Sequence, residues 1–251
     1  MGSMASLMLV SEHPEQDSTR AQEVAMDVLN DVEARFSSYR ADSELSRFAA
    51  GLVDRPSDQL RHALAACEWL GKVSGGVFTT STTHEYDLAG YVKGWAIDQA
   101  AEAVAAAGVV DFALGVGGDW RVLGNGPGGR PWRFGVVDPT DTGAVRALVD
   151  TEGAIATSGL YERGEHLRRT AALGSSDAVA SFTVVGPLLA WADAFATIGF
   201  LLGDRGLGWV ATFPGYSAAL IRPDGQMVAD GAFPLAAGSV PEFPQVAAPY
   251  L

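Results

Sequence analysis

DLAGYVKGWAID, residues 87–98, places an acidic residue, two glycines and a lysine at the entrance to a helical run. A helix N-terminus presents free N–H groups and a partial positive charge, so this spacing is typical of anion binding. Glycines that serve only as turn residues before a helix would give the same pattern. Taken alone, the stretch predicts a helix from Lys93 to Ala107 and leaves both interpretations open.

After this helix, the spacing of the apolar residues changes from helical to alternating. Residues 110–116 carry an apolar side chain at every second position, which predicts a half-buried strand that ends in a turn at Gly117-Gly118-Asp119. Further strands are predicted at 132–138, 145–150, 153–158 and 179–186, with a hairpin at 217–230 and an irregular tail at 232–251.

Helical periodicity dominates the N-terminal third of the chain and one later segment. Residues 15–40 are predicted to form a helix, followed by a polar break, and Ser57 is expected to cap a second helix that buries Cys67. Pro187 is expected to open a long apolar helix at 188–203, since the first helical N–H is unpaired in any case. The simplest interpretation is one α+β domain over residues 1–251, a mixed β-sheet with packed helices and an N-terminal helical lobe.

Composition excludes several classes of function. A net charge of −13 argues against nucleic-acid binding, which depends on clustered Lys and Arg. The one cysteine excludes an internal disulfide and a Cys-based zinc site. No transmembrane segment is expected, because no apolar run reaches the length that a membrane span needs. Without a visible signal peptide the default expectation is a cytoplasmic location, although a chain that begins after a removed leader would look the same.

Asp193 stands within an almost wholly apolar helix, LLAWADAFATIGFLL. A buried carboxylate without a partner is costly, so this residue is expected to be neutralised or paired. Thr197 lies four residues further on and shares its helical face, so the two side chains could give two oxygen ligands to Mg²⁺. Alternatively, Asp193 caps a neighbouring loop and Thr197 bonds back to its own helix.

Several ordered stretches together resemble the flavin transferases of the ApbE family. These are DLAGYVKGWAIDQAAE, GVGGDWRVLG, ATSGLYER, SFTVVGP and ADAFAT, in the order in which that family has a DLxGxxKGxAxD segment, a GGD or GGE turn, an ATSG strand end and an ADAxAT helix. The N-terminal FSSYRADSELSRF also resembles the family's tyrosine-containing segment. Each motif is weak by itself, but the ordered set covers residues 20–205 and is specific.

The resemblance implies that the chain takes FAD, cleaves its diphosphate with Mg²⁺ and attaches FMN to a Thr or Ser hydroxyl of a target protein, releasing AMP. It implies that Asp193, Thr197 and the carbonyl of Gly90 hold the metal, and that Tyr39 packs against the adenine or the flavin ring. The other residues that it places around the flavin nucleotide are Phe78, Thr79, Thr80, Asp87, Lys93, Gly117, Gly118, Asp119, Thr157 and Ser158.

Two departures from the family pattern leave alternatives open. The resemblance offers His166 as the general base for the attacking hydroxyl, but the Asp-Pro that usually follows it is replaced by Arg169-Thr170. In GGVFTTST the acidic residue that usually follows the phenylalanine is missing, so only the hydroxyls of Thr79 and Thr80 remain there. A non-catalytic FAD-binding protein and an FAD diphosphate hydrolase that gives FMN and AMP are therefore the alternatives to a transferase.

Overall fold

The structure, a computed structural model, describes residues 4–79, 81–82, 85–159, 179–237 and 245–246. The helices within these ranges, α1 to α6, are Pro14–Phe36, Glu44–Ala49, Asp58–Val73, Ala89–Ala106, Leu189–Leu202 and Arg205–Val210. The strands, β1 to β12, are Ala5–Leu9, Ser81–Thr82, Glu85–Tyr86, Phe112–Val116, Asp119–Leu123, Trp132–Asp138, Asp141–Thr151, Ala154–Gly159, Ser181–Gly186, Ser217–Ile221, Met227–Asp230 and Gln245–Val246. None of the helices in the described ranges is long and apolar enough to span a bilayer.

An eight-stranded sheet forms the centre of the fold, in the order β1-β4-β5-β8-β9-β10-β11-β12. Neighbouring strands run antiparallel, except that β11 and β12 pair in parallel. Residues of α1, α3, α4 and α5 pack against one face and form the larger hydrophobic core. The predicted α+β class with a mixed sheet is therefore confirmed.

The second face of the sheet is covered by the separate β6–β7 hairpin. Its residues Trp132, Phe134 and Val149 pack in a second core with Ile155 and Ile221 of the central sheet. The strand predicted at residues 110–116 is confirmed over residues 112–116, but all five residues of β4 are buried, so the expectation that it is half-buried was wrong. A strand enclosed on both faces needs no alternation of apolar and polar residues.

Several helix ends differ from the sequence prediction, for local reasons. Helix α1 ends at Phe36 rather than at residue 40, because Ser37 has extended backbone angles. Helix α2, which was not predicted, begins within the predicted polar break, and Ser43 caps it by accepting a hydrogen bond from the backbone N–H of Ser46. Helix α4 begins at Ala89 instead of Lys93, and α5 begins at Leu189 rather than directly after Pro187.

Other local predictions are confirmed. The Ser57 hydroxyl accepts from the Leu60 N–H at 3.2 Å, and Cys67 is buried on α3. The hairpin at 217–230 corresponds to β10 and β11. The expected irregular tail contains an element that was not predicted, since residues 245–246 pair with β11.

Helices α5 and α6 pack so closely that a glycine is needed between them. A Cβ on Gly206 of α6 would lie 2.5 Å from the carbonyl oxygen of Gly199 on α5. Gly208, in the same short helix, has no atom within 4 Å of the corresponding position. The two glycines therefore differ in the space around them.

We expect Gly206→Ala to lower the free energy of unfolding by about 1–3 kcal/mol, because the added methyl group forces the two helices apart. Gly208→Ala is the matched control and should leave stability unchanged or raise it by up to about 1 kcal/mol, since alanine is the better helix former. Urea unfolding followed by circular dichroism measures both. Equal effects of the two substitutions would contradict the close contact of α5 with α6.

Candidate active site

The entrance to α4 shows why Asp87, Gly90 and Gly94 stand so close together. The exposed Asp87 carboxylate accepts a hydrogen bond from the backbone N–H of Ala89 at 2.9 Å, which supports helix entry. A Cβ on Gly90 would lie 3.0 Å from the ring of Phe78, so that ring packs directly on the helix. A Cβ on Gly94 would lie 2.5 Å from the carbonyl oxygen of Leu189 on α5. Both glycines thus serve close packing rather than a turn.

Lys93, on the same turn of α4, reaches two carboxylates from different elements. Its ammonium group donates a hydrogen bond to Asp119 at the start of β5 and lies 3.5 Å from Oδ1 of Asp193 on α5. The side chains of Asp119 and Asp193 are 0% and 2% exposed, whereas Lys93 is 21% exposed. Lys93 therefore offsets part of the cost of burying two like charges.

Burial raises the pKa of Asp119 to about 6, and the neighbouring Asp193 carboxylate acts in the same direction. The Lys93 ammonium group and the backbone N–H of Thr157 favour the charged form, but they do not overcome the burial. The pKa of this carboxyl group therefore lies well above its ordinary value.

Two residues of β8 connect the charged cluster of Lys93, Asp119 and Asp193 to the sheet. The backbone N–H of Thr157 donates to Oδ1 of Asp119 at 2.9 Å. The hydroxyl of Ser158 lies 3.2 Å from that of Thr197 on α5. The structure thus brings together six of the predicted site residues: Lys93, Asp119, Thr157, Ser158, Asp193 and Thr197.

Asp193 and Thr197 are buried one turn apart on α5, and their side chains offer only oxygen donors. Among the described residues, no group of three or more His, Cys, Asp and Glu side chains is placed to hold a metal ion. Softer divalent metals favour nitrogen and sulfur ligands, whereas Mg²⁺ favours oxygen ligands such as those of Asp193 and Thr197. The donor set therefore fits Mg²⁺.

A cleft of about 150 Å³ lies between the end of α1 and the start of α4. Lys93 and Asp87 form part of its wall, and Tyr39 stands at its edge with 98% of its surface exposed. Apolar walls complete it, contributed by Val32, Phe36, Leu45, Leu88 and Val92. The cleft thus joins an apolar surface, suited to an aromatic ring, to the charged cluster around Lys93.

The remaining predicted residues are less closely connected to this cluster. Gly117 and Gly118 have positive φ angles of 62° and 90° and form the tight β4–β5 turn directly before Asp119. Thr79 is exposed. Thr80 and His166 lie outside the described residues, so their predicted roles stay predictions.

Sequence reasoning assigned no role to Asp98, the last residue of the opening stretch. It is 4% exposed, and its carboxylate accepts hydrogen bonds from the backbone N–H groups of Leu189 and Ala190 at 3.0 and 2.8 Å. Arg121 of β5 lies 3.1 Å from the same carboxylate. The signal that singled out Asp193, an acid on an apolar helix, was weaker here, because α4 also carries Lys93, Gln99 and Glu102.

Known proteins share this arrangement of elements. The model of the ApbE family matches residues 79–221. A FAD:protein FMN transferase of Haemophilus influenzae is 26% identical over 255 residues, which cover 74% of this chain and 74% of that protein. One from Rhodobacter capsulatus is 35% identical over 155 residues, and the chain spans only 29% of that protein's length. The solved structure of the flavin transferase ApbE from Vibrio cholerae has the same fold, with a TM-score of 0.76 at 21% identity over 93% of this chain and 95% of that chain.

The raised pKa of Asp119 predicts how stability depends on pH when EDTA removes divalent cations. The Asp119 carboxyl group stays protonated up to about pH 6 in the folded state but only up to pH 3.8 in the unfolded state, so low pH favours the folded state. We expect the free energy of unfolding, relative to that of Asp119→Asn, to fall as the pH rises through this window. Urea unfolding at a series of pH values measures it.

Asp150 provides a control of opposite sign. The guanidinium of Arg133 donates to Asp150 at 2.7 and 2.9 Å and lowers the pKa of that carboxyl group. Relative to Asp150→Asn, the stability of the unmodified protein should therefore rise with pH. If the stability of the unmodified protein relative to Asp119→Asn also rises with pH, the Lys93 ammonium group has a larger effect than burial on the pKa of Asp119.

Proposed function

The chain belongs to the ApbE family, and we propose that it is a Mg²⁺-dependent FAD:protein FMN transferase. In this reaction the hydroxyl oxygen of a Thr or Ser in a target protein attacks the FMN phosphorus of FAD. The new oxygen–phosphorus bond forms as the bond from that phosphorus to the bridging oxygen breaks, so AMP leaves and the hydroxyl proton passes to a base. Relatives of comparable length that are named FAD:protein FMN transferase support this reaction.

One arrangement carries the proposal: Lys93 lines an apolar cleft and lies 3.5 Å from the buried Asp193 carboxylate, with the buried Thr197 one turn further along α5. A dinucleotide needs apolar walls for its rings and positive charge for its diphosphate. The cleft supplies the apolar walls. Lys93 lines the cleft, and its ammonium group lies 3.5 Å from the buried Asp193 carboxylate. We propose that Lys93 orients the diphosphate of FAD and that Tyr39 covers its adenine or flavin ring.

Asp193, Thr197 and the backbone carbonyl of Gly90 would hold Mg²⁺. When bound there, the ion would neutralise negative charge that develops on the phosphate oxygens. Burial of Asp193 and Thr197 keeps water from competing for these oxygens, and the Ser158 hydroxyl, 3.2 Å from that of Thr197, fixes the direction of the threonine side chain. Asp119 holds the Lys93 ammonium group in place.

His166 is the proposed general base for the acceptor hydroxyl, because an imidazole has a pKa near neutral pH and can take that proton. The proposal rests on its position in the sequence, seven residues after Gly159 at the end of β8. Thr79 and Thr80 are proposed to donate hydrogen bonds to the ribose or phosphate of the nucleotide.

Removing the carboxylate of Asp193 should reduce Mg²⁺-dependent release of AMP from FAD by at least about 100-fold, the usual cost of losing one stabilising group at a reacting centre. Asp193→Ala and the closer replacement Asp193→Asn are compared by chromatography of the nucleotide products. Asp204→Asn is the matched control: this carboxylate follows the same helix and pairs with Arg222 at 2.6 Å, away from the cluster.

Full activity in both Asp193 variants would contradict the assignment of Asp193 as a metal ligand. A cooperative loss of structure would instead mean that the Asp193 carboxylate is held by protein groups and stabilises the fold. Intact FAD bound by unmodified protein without AMP release would identify a binding protein. AMP release without labelling of an acceptor carrying a Thr or Ser would identify a hydrolase.

FAD should raise the melting temperature more than FMN at equal concentration, because the cleft and Tyr39 offer contacts to the adenosine half as well. A ligand that binds only the folded state stabilises it by mass action, so both shifts should grow with ligand concentration. Tyr39→Ala should reduce the shift caused by FAD, whereas Val110→Ala, which shortens a side chain exposed to 68% away from the cleft, should not. Equal shifts from FAD and FMN would argue against an adenosine site.

A further inference from the structure

Helix α5, which carries Asp193 and Thr197, begins without a cap of its own. Its N-cap residue Leu188 makes no side-chain hydrogen bond, and its first turn contains no acidic residue. The unpaired N–H groups of a buried helix end need partners. They find them on α4, where the Asp98 carboxylate accepts from Leu189 and from Ala190.

The two helices also touch at backbone level one turn before Asp98. At Gly94, a Cβ would lie 2.5 Å from the Leu189 carbonyl oxygen and 2.9 Å from Cα of Ala190. Lys93, the residue before Gly94, lies 3.5 Å from the Asp193 carboxylate. Three residues of α4 thus contact the first two turns of α5.

Asp98 is itself held by the strand that holds Lys93. Asp119 and Arg121 are two positions apart on β5, so their side chains leave the same face of the sheet. Asp119 binds Lys93, and Arg121 binds Asp98 while it also donates to the carbonyl oxygens of Val122 and Gly153 at 2.7 and 2.9 Å. The carboxylate that caps α5 is therefore fixed to the sheet.

From these contacts we infer that Asp98 is a positioning residue for the metal site. By holding the first N–H groups of α5, its carboxylate sets the rotation and axial position of that helix, and with them the place of the Asp193 and Thr197 oxygens relative to Lys93 and Gly90. Asp98 contacts Leu189, Ala190 and Arg121, so in this role it acts through α5. The inference rests on the proposed Mg²⁺ site.

The test is a calorimetric titration of each protein with Mg²⁺ alone, under conditions in which circular dichroism shows every variant to be folded. Asp98→Asn keeps one acceptor oxygen but loses the charge, so α5 can shift. Its Mg²⁺ affinity should fall by about 10-fold or more, within the range found when a group that orients a metal ligand is lost. Amide hydrogen exchange should become faster in the first turn of α5.

Asp230→Asn is the matched control, because it also removes a partly buried carboxylate that caps backbone N–H groups. That carboxylate accepts from Ala218 and Ala232 at 2.6 and 3.0 Å, and burial raises its pKa as it does that of Asp98. This variant should lose stability without any change in Mg²⁺ affinity. Gly94→Ala disturbs the same contact without touching a charge and should weaken Mg²⁺ binding as Asp98→Asn does, which covers the case in which Asp98→Asn fails to fold.

Unchanged Mg²⁺ affinity in Asp98→Asn and Gly94→Ala, with stability lost as in the control, would overturn the inference. Release of AMP from FAD is measured in parallel. Unmodified protein that binds Mg²⁺ but releases no AMP would refute the proposed function while the affinities still decide the role of Asp98. Unmodified protein that binds no Mg²⁺ would refute the metal site and the positioning role together.

Discussion

Two ion pairs of opposite polarity, each with a buried carboxylate, connect α4 to β5, and the arrangement of the site depends on them. Lys93 of the helix binds Asp119 of the strand, and Asp98 of the helix binds Arg121 of the strand. Burying charges costs free energy that a pair recovers only when both partners meet in good geometry. Because the two pairs have reversed signs, sliding or inverting the helix on the sheet would bring like charges together. The pairs therefore select one register of α4 on the sheet.

The rest of the site follows from that register. With α4 fixed, Gly94 lets the backbone of α5 approach, and the buried oxygen atoms of α5 come to lie beside the Lys93 ammonium group. The β6–β7 hairpin covers the far face of the sheet, where Val122 of β5 and Ile155 of β8 are buried on the side away from the cluster. The same charged groups thus serve the fold and the proposed chemistry, and burial raises the pKa of one of them, Asp119.

The sequence predicted much of the fold because its signals there were local. The helix cap at Ser57, the strands and the placement of Asp193 and Thr197 one turn apart on one helix all follow from spacing within a few residues. The predictions failed where distant elements decided the outcome. Nothing near β4 in the chain indicated that a hairpin would cover its second face. Asp98 was missed because its partners lie 91 and 92 residues away on α5.

The exposure of Tyr39 has a thermodynamic consequence for ligand binding. The Asp119 and Asp193 carboxylates beside Lys93 are already shielded from water in the free protein, whereas Tyr39, at 98% exposure, is almost fully hydrated. A ring that stacks on this tyrosine removes apolar surface from water, which lowers the heat capacity of the complex relative to its free components. The enthalpy of FAD binding would therefore become more favourable on warming, and Tyr39 would contribute to that temperature dependence.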